Sequence, residues 1–141
     1  MHTALNLLGK TSFHNKHIQG DRDLYEEITL GIRAVAVDRF SQKTGLNEER
    51  ISALIPINRK TLLRRKAEGL LDAKQSDRLV LIAKVYAHAL NVFGSKEKTN
   101  QWLSAPNLSL NNKPPIELLK NSLGCTIVDD TLYRIEHGIY S

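Results

Sequence analysis

Cysteine is almost missing from this chain: Cys125 is the only one in 141 residues. A lone thiol closes no internal disulfide, so the fold rests on packing alone, and a cytoplasmic origin is expected. Long apolar runs are missing too. No window approaches the ~18 uncharged apolar residues of a membrane span. The N-terminus lacks an apolar core followed by a small-residue cleavage site. His14 and His17 are spaced to face one way, but a zinc site takes about four ligands, so no metal is expected. Nor is a cofactor: no glycine-rich phosphate loop is present. No His–acid pair flanks a plausible nucleophile, and Cys125 follows a helix-ending glycine without a nearby cation to activate it. The chain does not read as an enzyme. Strand-like alternation of useful length is absent as well, which leaves an all-α fold.

What is present is positive charge, unevenly placed. Net charge is +5. From Ser95 onward five Lys/Arg balance five Asp/Glu, whereas Met1 to Gly94 carries fifteen against ten. That excess equals Arg59, Lys60, Arg64, Arg65 and Lys66, which fall within the single run Asn58 to Lys66. A concentrated patch on a balanced surface points either to a polyanionic partner or to a solvated helical face.

Glycine and proline divide the chain into helices. Residues 1–22 are polar and poorly periodic and read as a loose N-terminal arm with one helical turn near Ala4 to Leu8. Leu24, Ile28, Ile32, Val35 and Val37 to Phe40 recur at helical spacing, and Gly31 makes this two helices or one kinked one. Gly45 closes that element. Asn47 caps the next helix, with Glu48 and Glu49 set against its dipole. Pro56 stops it, Asn58 caps the basic helix, and Gly69 is expected to end that one. Asp72 to Phe93 is apolar on most of its circumference, as a helix buried on two sides should be. It reads as a spine shared by both halves, with His88 partly buried and hydrogen-bonded. Beyond it, Pro115 opens a helix that Gly124 closes, and a last helix runs from Ile127 to Glu136.

A helix, a three-residue corner (Pro56-Ile57-Asn58) and a basic helix form the arrangement that places a second helix in the DNA major groove. Leu62, Leu63, Ala67 and Leu70 are expected to anchor that helix to the core. Thr61, Arg64 and Arg65, with Lys60 beside them, then face outward. Arginine grips guanine O6 and N7 with two bonds, and threonine touches a thymine methyl or a polar edge. Arg59 is placed for phosphate, and Lys66 snorkels toward it. Glu68 and Asp72 share the polar arc farther on, which confines DNA to the first two turns.

Thr61-Leu62, Arg64-Arg65, Ser76-Asp77-Arg78-Leu79 and Ala89 to Gly94 resemble the Xre-type helix-turn-helix half of bacterial type II antitoxins. Trp102-Leu103, Pro106-Asn107, Leu110, Pro115 to Leu119, Gly124, Val128, Leu132 and Arg134-Ile135-Glu136 with Gly138 resemble the MbcA/ParS/Xre toxin-binding domain. The resemblance covers roughly residues 31–138. It implies an antitoxin that neutralises a RES-domain, NAD-degrading toxin by blocking its active site and represses its own operon. It implies three regions: the arm (1–22), a helix-turn-helix domain (23–94) and a toxin-binding domain (95–141). The toxin-contacting candidates it implies are Trp102, Tyr133, Arg134, Glu136 and the tail Ile139, Tyr140 and Ser141. Where the family has glycine before the proline helix, this chain has Asn111-Asn112, and asparagine tolerates left-handed geometry. Before the resemblance, interface and solvated face are equally open for Tyr133, Arg134 and Glu136, while Trp102 reads first as core. Operator DNA and a homodimer complete the expected partners, since paired half-sites supply specificity one module lacks. The alternative is a helical interaction adaptor without DNA binding.

Overall fold

The computed structural model describes residues 1–66 and 68–138. Among these, every regular element is helical, and extended pairing is confined to two isolated bridges, Arg33 with Leu70 and Asn107 with Lys113. The organising element is α6, Ala73–Phe93. Asp72 and Gln75 form a reciprocal capping box at its start, and Gly94, with φ 87°, ends it in left-handed geometry. Leu79, Val80, Ile82, Ala83, Val85, Tyr86, Ala89 and Leu90 are all buried, so α6 has core on more than one side. The helices α1 (Ala4–Leu8) and α2 (Asp21–Leu30) pack on it, as do α7 (Lys96–Ser104) and α8 (Ser122–Glu136). No described helix is long and apolar enough to cross a membrane.

The two halves meet at Tyr86. Its ring stands edge-on to Phe40 of α3 (Val35–Thr44), with centroids 5.8 Å apart. Its hydroxyl lies 2.7 Å from Asn100 Oδ1 on α7 and 3.1 Å from the Thr44 carbonyl, which also accepts from Asn100 Nδ2 at 2.7 Å. Burial pushes the Tyr86 phenol up to about 12.

Two expectations change and one open alternative closes. The first is the loose arm: Leu8 is 0% and Phe13 3% exposed, and α1 packs on α3 and α6. The backbone N–H groups of His14 and Asn15 donate to the carboxylate of buried Glu27, at 2.7 and 3.0 Å. Ala4, Leu7, Leu8 and Phe13 follow no sustained period in so short a segment, yet they fill a hole between existing helices. Secondly, of the two helices or one kinked helix left open at Gly31, two form: the glycine separates α2 from α3. It has φ 94°, and a Cβ there would lie 2.3 Å from the Leu71 carbonyl oxygen. That closeness lets Leu71 N–H donate to Ile32 O and Ala34 N–H to Gly69 O. Lastly, Gly124 closes nothing. It lies inside α8, where a Cβ would sit 1.7 Å from the Leu118 carbonyl oxygen. Residues Pro115–Lys120 form a 3-10 helix seated against this glycine.

Replacing Leu8 by alanine tests whether the N-terminal segment belongs to the core. The expected loss is about 2–5 kcal/mol in urea unfolding, the range for emptying a fully buried leucine site. A change within about 0.5 kcal/mol, as for a surface substitution, would return the segment to a loose arm.

Candidate nucleic-acid interface and partner-binding face

The helix-turn-helix is α4 (Glu48–Leu54) followed by α5 (Arg59–Arg65). Asn47 caps α4 by accepting from Arg50 N–H at 2.8 Å. Ile51, Leu54 and Ile55 are buried, and the corner is pinned by buried Ile57, whose N–H donates to Ser52 O at 3.1 Å. Asn58 Oδ1 accepts from Lys60 N–H at 2.8 Å and Thr61 N–H at 3.4 Å, which starts α5 where the sequence placed it. The anchor is Leu62, with no exposed surface.

Arg59, Lys60 and Arg64 are exposed, and Thr61 and Arg65 are half-buried at the edges of the same face. Arg65 Nη1 reaches the Leu70 carbonyl at 3.4 Å. Two expectations fail here. Leu63 does not face the core but is 57% exposed. Adjacent helical residues diverge by about 100°, so once Leu62 occupies the core its neighbour turns out onto the basic face. Lys66 does not reach outward for phosphate. Its Nζ lies 2.6 Å from Glu48 Oε1 and 3.7 Å from Asp38 Oδ1, joining α5 to α4 and α3. The helix also ends at Arg65 rather than at Gly69, so exposed Glu68 lies past it. Leu70 is 39% exposed, a weaker anchor than expected, and Ala67 lies outside the described residues.

In the C-terminal section, Trp102 is half-buried against Phe93, with ring centroids 5.3 Å apart. Asn111 and Asn112 both adopt left-handed geometry, φ 59° and 63°, and close the turn expected of them. On α8, Cys125, Val128 and Leu132 face the core. Burial pushes the Cys125 thiol up to about 11 despite the charge of Arg78. Arg134 is exposed, and Tyr133, 54% exposed, stacks on His137 at 4.0 Å. Glu136 is engaged within the chain: its Oε1 lies 3.1 Å from His88 Nε2, while Asp129 Oδ1 lies 2.7 Å from Nδ1. Ile139, Tyr140 and Ser141 lie outside the described residues. Sequence reasoning passed over Leu123 and Ile127, which are 70% and 40% exposed. Their i,i+4 spacing was the available signal, hidden by the expectation that Gly124 separates two helices.

Residues 23–84 match the family model described as the antitoxin Xre-like helix-turn-helix domain. Residues 88–138 match the antitoxin Xre/MbcA/ParS C-terminal toxin-binding domain. A protein named antitoxin Xre from Yersinia enterocolitica is 28% identical over 120 residues, spanning 84% of this chain and 81% of the relative. Another of that name from Pseudomonas putida is 29% identical over 122 residues, 86% of this chain and 76% of its own. One from Photorhabdus laumondii is 29% identical over 113 residues, covering 79% and 76%. The fold is thus a helix-turn-helix module followed by a domain of the toxin-binding type. The chain belongs to the Xre/MbcA/ParS antitoxin family.

The His88 contacts set a pH dependence. Burial disfavours the imidazolium, but hydrogen bonds and charge from Asp129 and Glu136 outweigh it and raise the pKa above 6.5. A pKa raised on folding stabilises fully below the unfolded value near 6.5, and that stability is lost as pH rises through the folded value. The stability gap between wild type and His88→Gln should therefore be widest in acid and shrink toward alkaline pH. A gap that stays flat across this range in denaturant titrations would refute the pairing.

Proposed function

We propose that this chain is the antitoxin of a type II toxin–antitoxin pair. Its C-terminal domain neutralises a RES-type, NAD-degrading toxin by covering the active site, and α5 represses the shared operon from the major groove. A homodimer, through two copies of α5 about one DNA turn apart, supplies the second half-site. The working division is a helix-turn-helix domain at 23–94 and a toxin-binding domain at 95–141, with residues 1–22 packed onto the former. The observation that carries the DNA reading is the outward face of α5: Arg59, Lys60 and Arg64 exposed around a helix clamped by Leu62 and capped by Asn58. Thr61 and Arg65 flank that face, and Lys66 leaves the set because Glu48 holds it. For the toxin, Trp102, Tyr133 and Arg134 remain candidates, together with the tail Ile139-Tyr140-Ser141. Glu136 takes part through the position His88 gives it.

Exposed Leu63 offers an apolar contact to a thymine methyl between the cations.

In a mobility-shift assay with the operator, Lys60→Ala with Arg64→Ala should cost at least about 1–3 kcal/mol, while toxin neutralisation persists. With about three phosphates neutralised per subunit, the log–log salt slope should be roughly −2.7 per subunit. Unchanged operator affinity in the double variant would leave only the adaptor reading.

A further inference from the structure

Helix α5 has seven residues and little to hold it. Two turns are too short to be stable alone, so its bearing is set by whatever it touches. One apolar side chain, Leu62, is fully buried, while Leu63 is 57% and Leu70 39% exposed. A single anchor fixes where the helix sits but leaves it free to roll about that point. The second inward-facing side chain is Lys66, one turn on from Leu62 and helical in its own backbone (φ −53°, ψ −39°). Its Nζ lies 2.6 and 2.8 Å from the two carboxylate oxygens of Glu48 on α4, and 3.7 Å from Asp38 Oδ1 on α3. One ammonium thus meets three helices. The Lys66 side chain is 25% and the Glu48 side chain 20% exposed, so salt screens this pair less than an open one.

The register of α5 carries that contact through to the outer face. Two residues turn the chain through about 200°, so Lys60 stands nearly opposite Leu62 and Arg64 nearly opposite Lys66. Each of these two cations has its own inward fastening. Rolling α5 by about 20° moves an atom about 5–6 Å from the axis by roughly 2 Å. Hydrogen bonds to base edges span about 2.7–3.2 Å and weaken steeply off line, so such a roll breaks them. Attraction to phosphate survives it, because that term is electrostatic and carries no sequence information.

We infer that Lys66 is a positioning residue for operator reading: held by Glu48 and Asp38, it sets the roll of α5 and so decides which base edges Lys60 and Arg64 meet. The inference rests on the DNA-binding reading and adds to it a residue that touches no DNA. Glu48 gains a role as well, since a carboxylate in the first turn of α4 fastens the helix that follows. Asp38, at 3.7 Å, steadies the ammonium more weakly. A lysine on phosphate and a positioning lysine differ in what their loss leaves behind. Losing the first weakens binding to every sequence and lowers the salt slope by about 0.9. Losing the second spares binding to unrelated DNA and erodes only the preference for the operator.

The test measures affinity of the full-length chain for its operator duplex and for a scrambled duplex of equal composition, each across a salt series. Lys66→Met keeps the stem and removes the charge. It should cut the operator-to-scrambled ratio at least about tenfold, the size of one lost bidentate base contact. Affinity and salt slope on the scrambled duplex should stay close to wild type. Glu48→Gln should lower the ratio likewise, and the double variant should lose no more than either single one. Lys66→Arg, which keeps a cation beside Glu48, should hold the ratio within about threefold of wild type. Leu8→Ala, which destabilises without touching α5, should leave the ratio unchanged; an equal loss there makes the effect one of stability and overturns the role. A matched loss on both duplexes with a shallower slope also overturns it and returns Lys66 to phosphate. So does a wild-type ratio in both Lys66→Met and Glu48→Gln, with the DNA reading intact. A wild-type chain that binds the two duplexes equally removes the DNA reading and the positioning role together.

Discussion

Tyr86 has to be buried and still satisfy its hydroxyl, and that requirement holds the molecule together. A phenol removed from water without a partner costs several times what an ordinary hydrogen bond returns. Here the hydroxyl finds Asn100 of α7 and the Thr44 carbonyl at the end of α3, while the ring meets Phe40. One side chain of α6 thereby fixes the last turn of the helix preceding the helix-turn-helix and the first helix of the toxin-binding section. Thr44 O is the shared acceptor, so α3 and α7 cannot part without stranding a buried polar group.

The basic run of α5 shows why counting charges overstates a surface. Asn58 to Lys66 holds five cations, but the structure spends them differently. Lys66 is drawn to Glu48, whose carboxylate also sits in the first turn of α4, where the helix dipole favours it. Arg65 leans back to the Leu70 carbonyl. What remains for a polyanion is Arg59, Lys60 and Arg64, with Leu63 between them. A face of three cations around an apolar tip differs in kind from a uniform cationic strip, because the apolar tip adds a contact for a thymine methyl to what the cations can do with phosphates and guanine edges.

Features with local causes were legible in the sequence. Asn47 and Asn58 cap helices because their side chains reach the orphan N–H groups of the next turn, and the Asn111-Asn112 corner follows from asparagine's tolerance of left-handed geometry. The spine helix was legible because apolar residues cover most of its circumference. What stayed hidden has tertiary causes. Gly124 looks like punctuation, but its purpose is clearance for a carbonyl from another element. Leu7, Leu8 and Phe13 look stray until α3 and α6 are present to bury them. Glu136 looked free for a partner until the fold brought His88 beside it.

The same helix also bears on how the two proposed sites communicate. Gln75 Nε2, in the first turn of α6, donates to the Pro56 carbonyl at the helix-turn-helix corner at 3.4 Å, and Arg78, three residues on, holds the Lys120 carbonyl. In addition, α4 packs directly on the 3-10 helix Pro115–Lys120. A partner seated against that 3-10 helix would press on an element in contact with α4, the first helix of the helix-turn-helix. Contact alone does not amount to coupling. A ligand shifts an equilibrium only by its differential affinity for two states. The element able to provide two states is the seam held by Gln75 and Arg78, since elsewhere α6 is locked by fully buried aliphatic residues and by Tyr86. Within one subunit two contacts join the halves here, the Gln75 and Arg78 seam and the packing of α4 on the 3-10 helix, and a partner would change operator affinity only by favouring one arrangement of them over another.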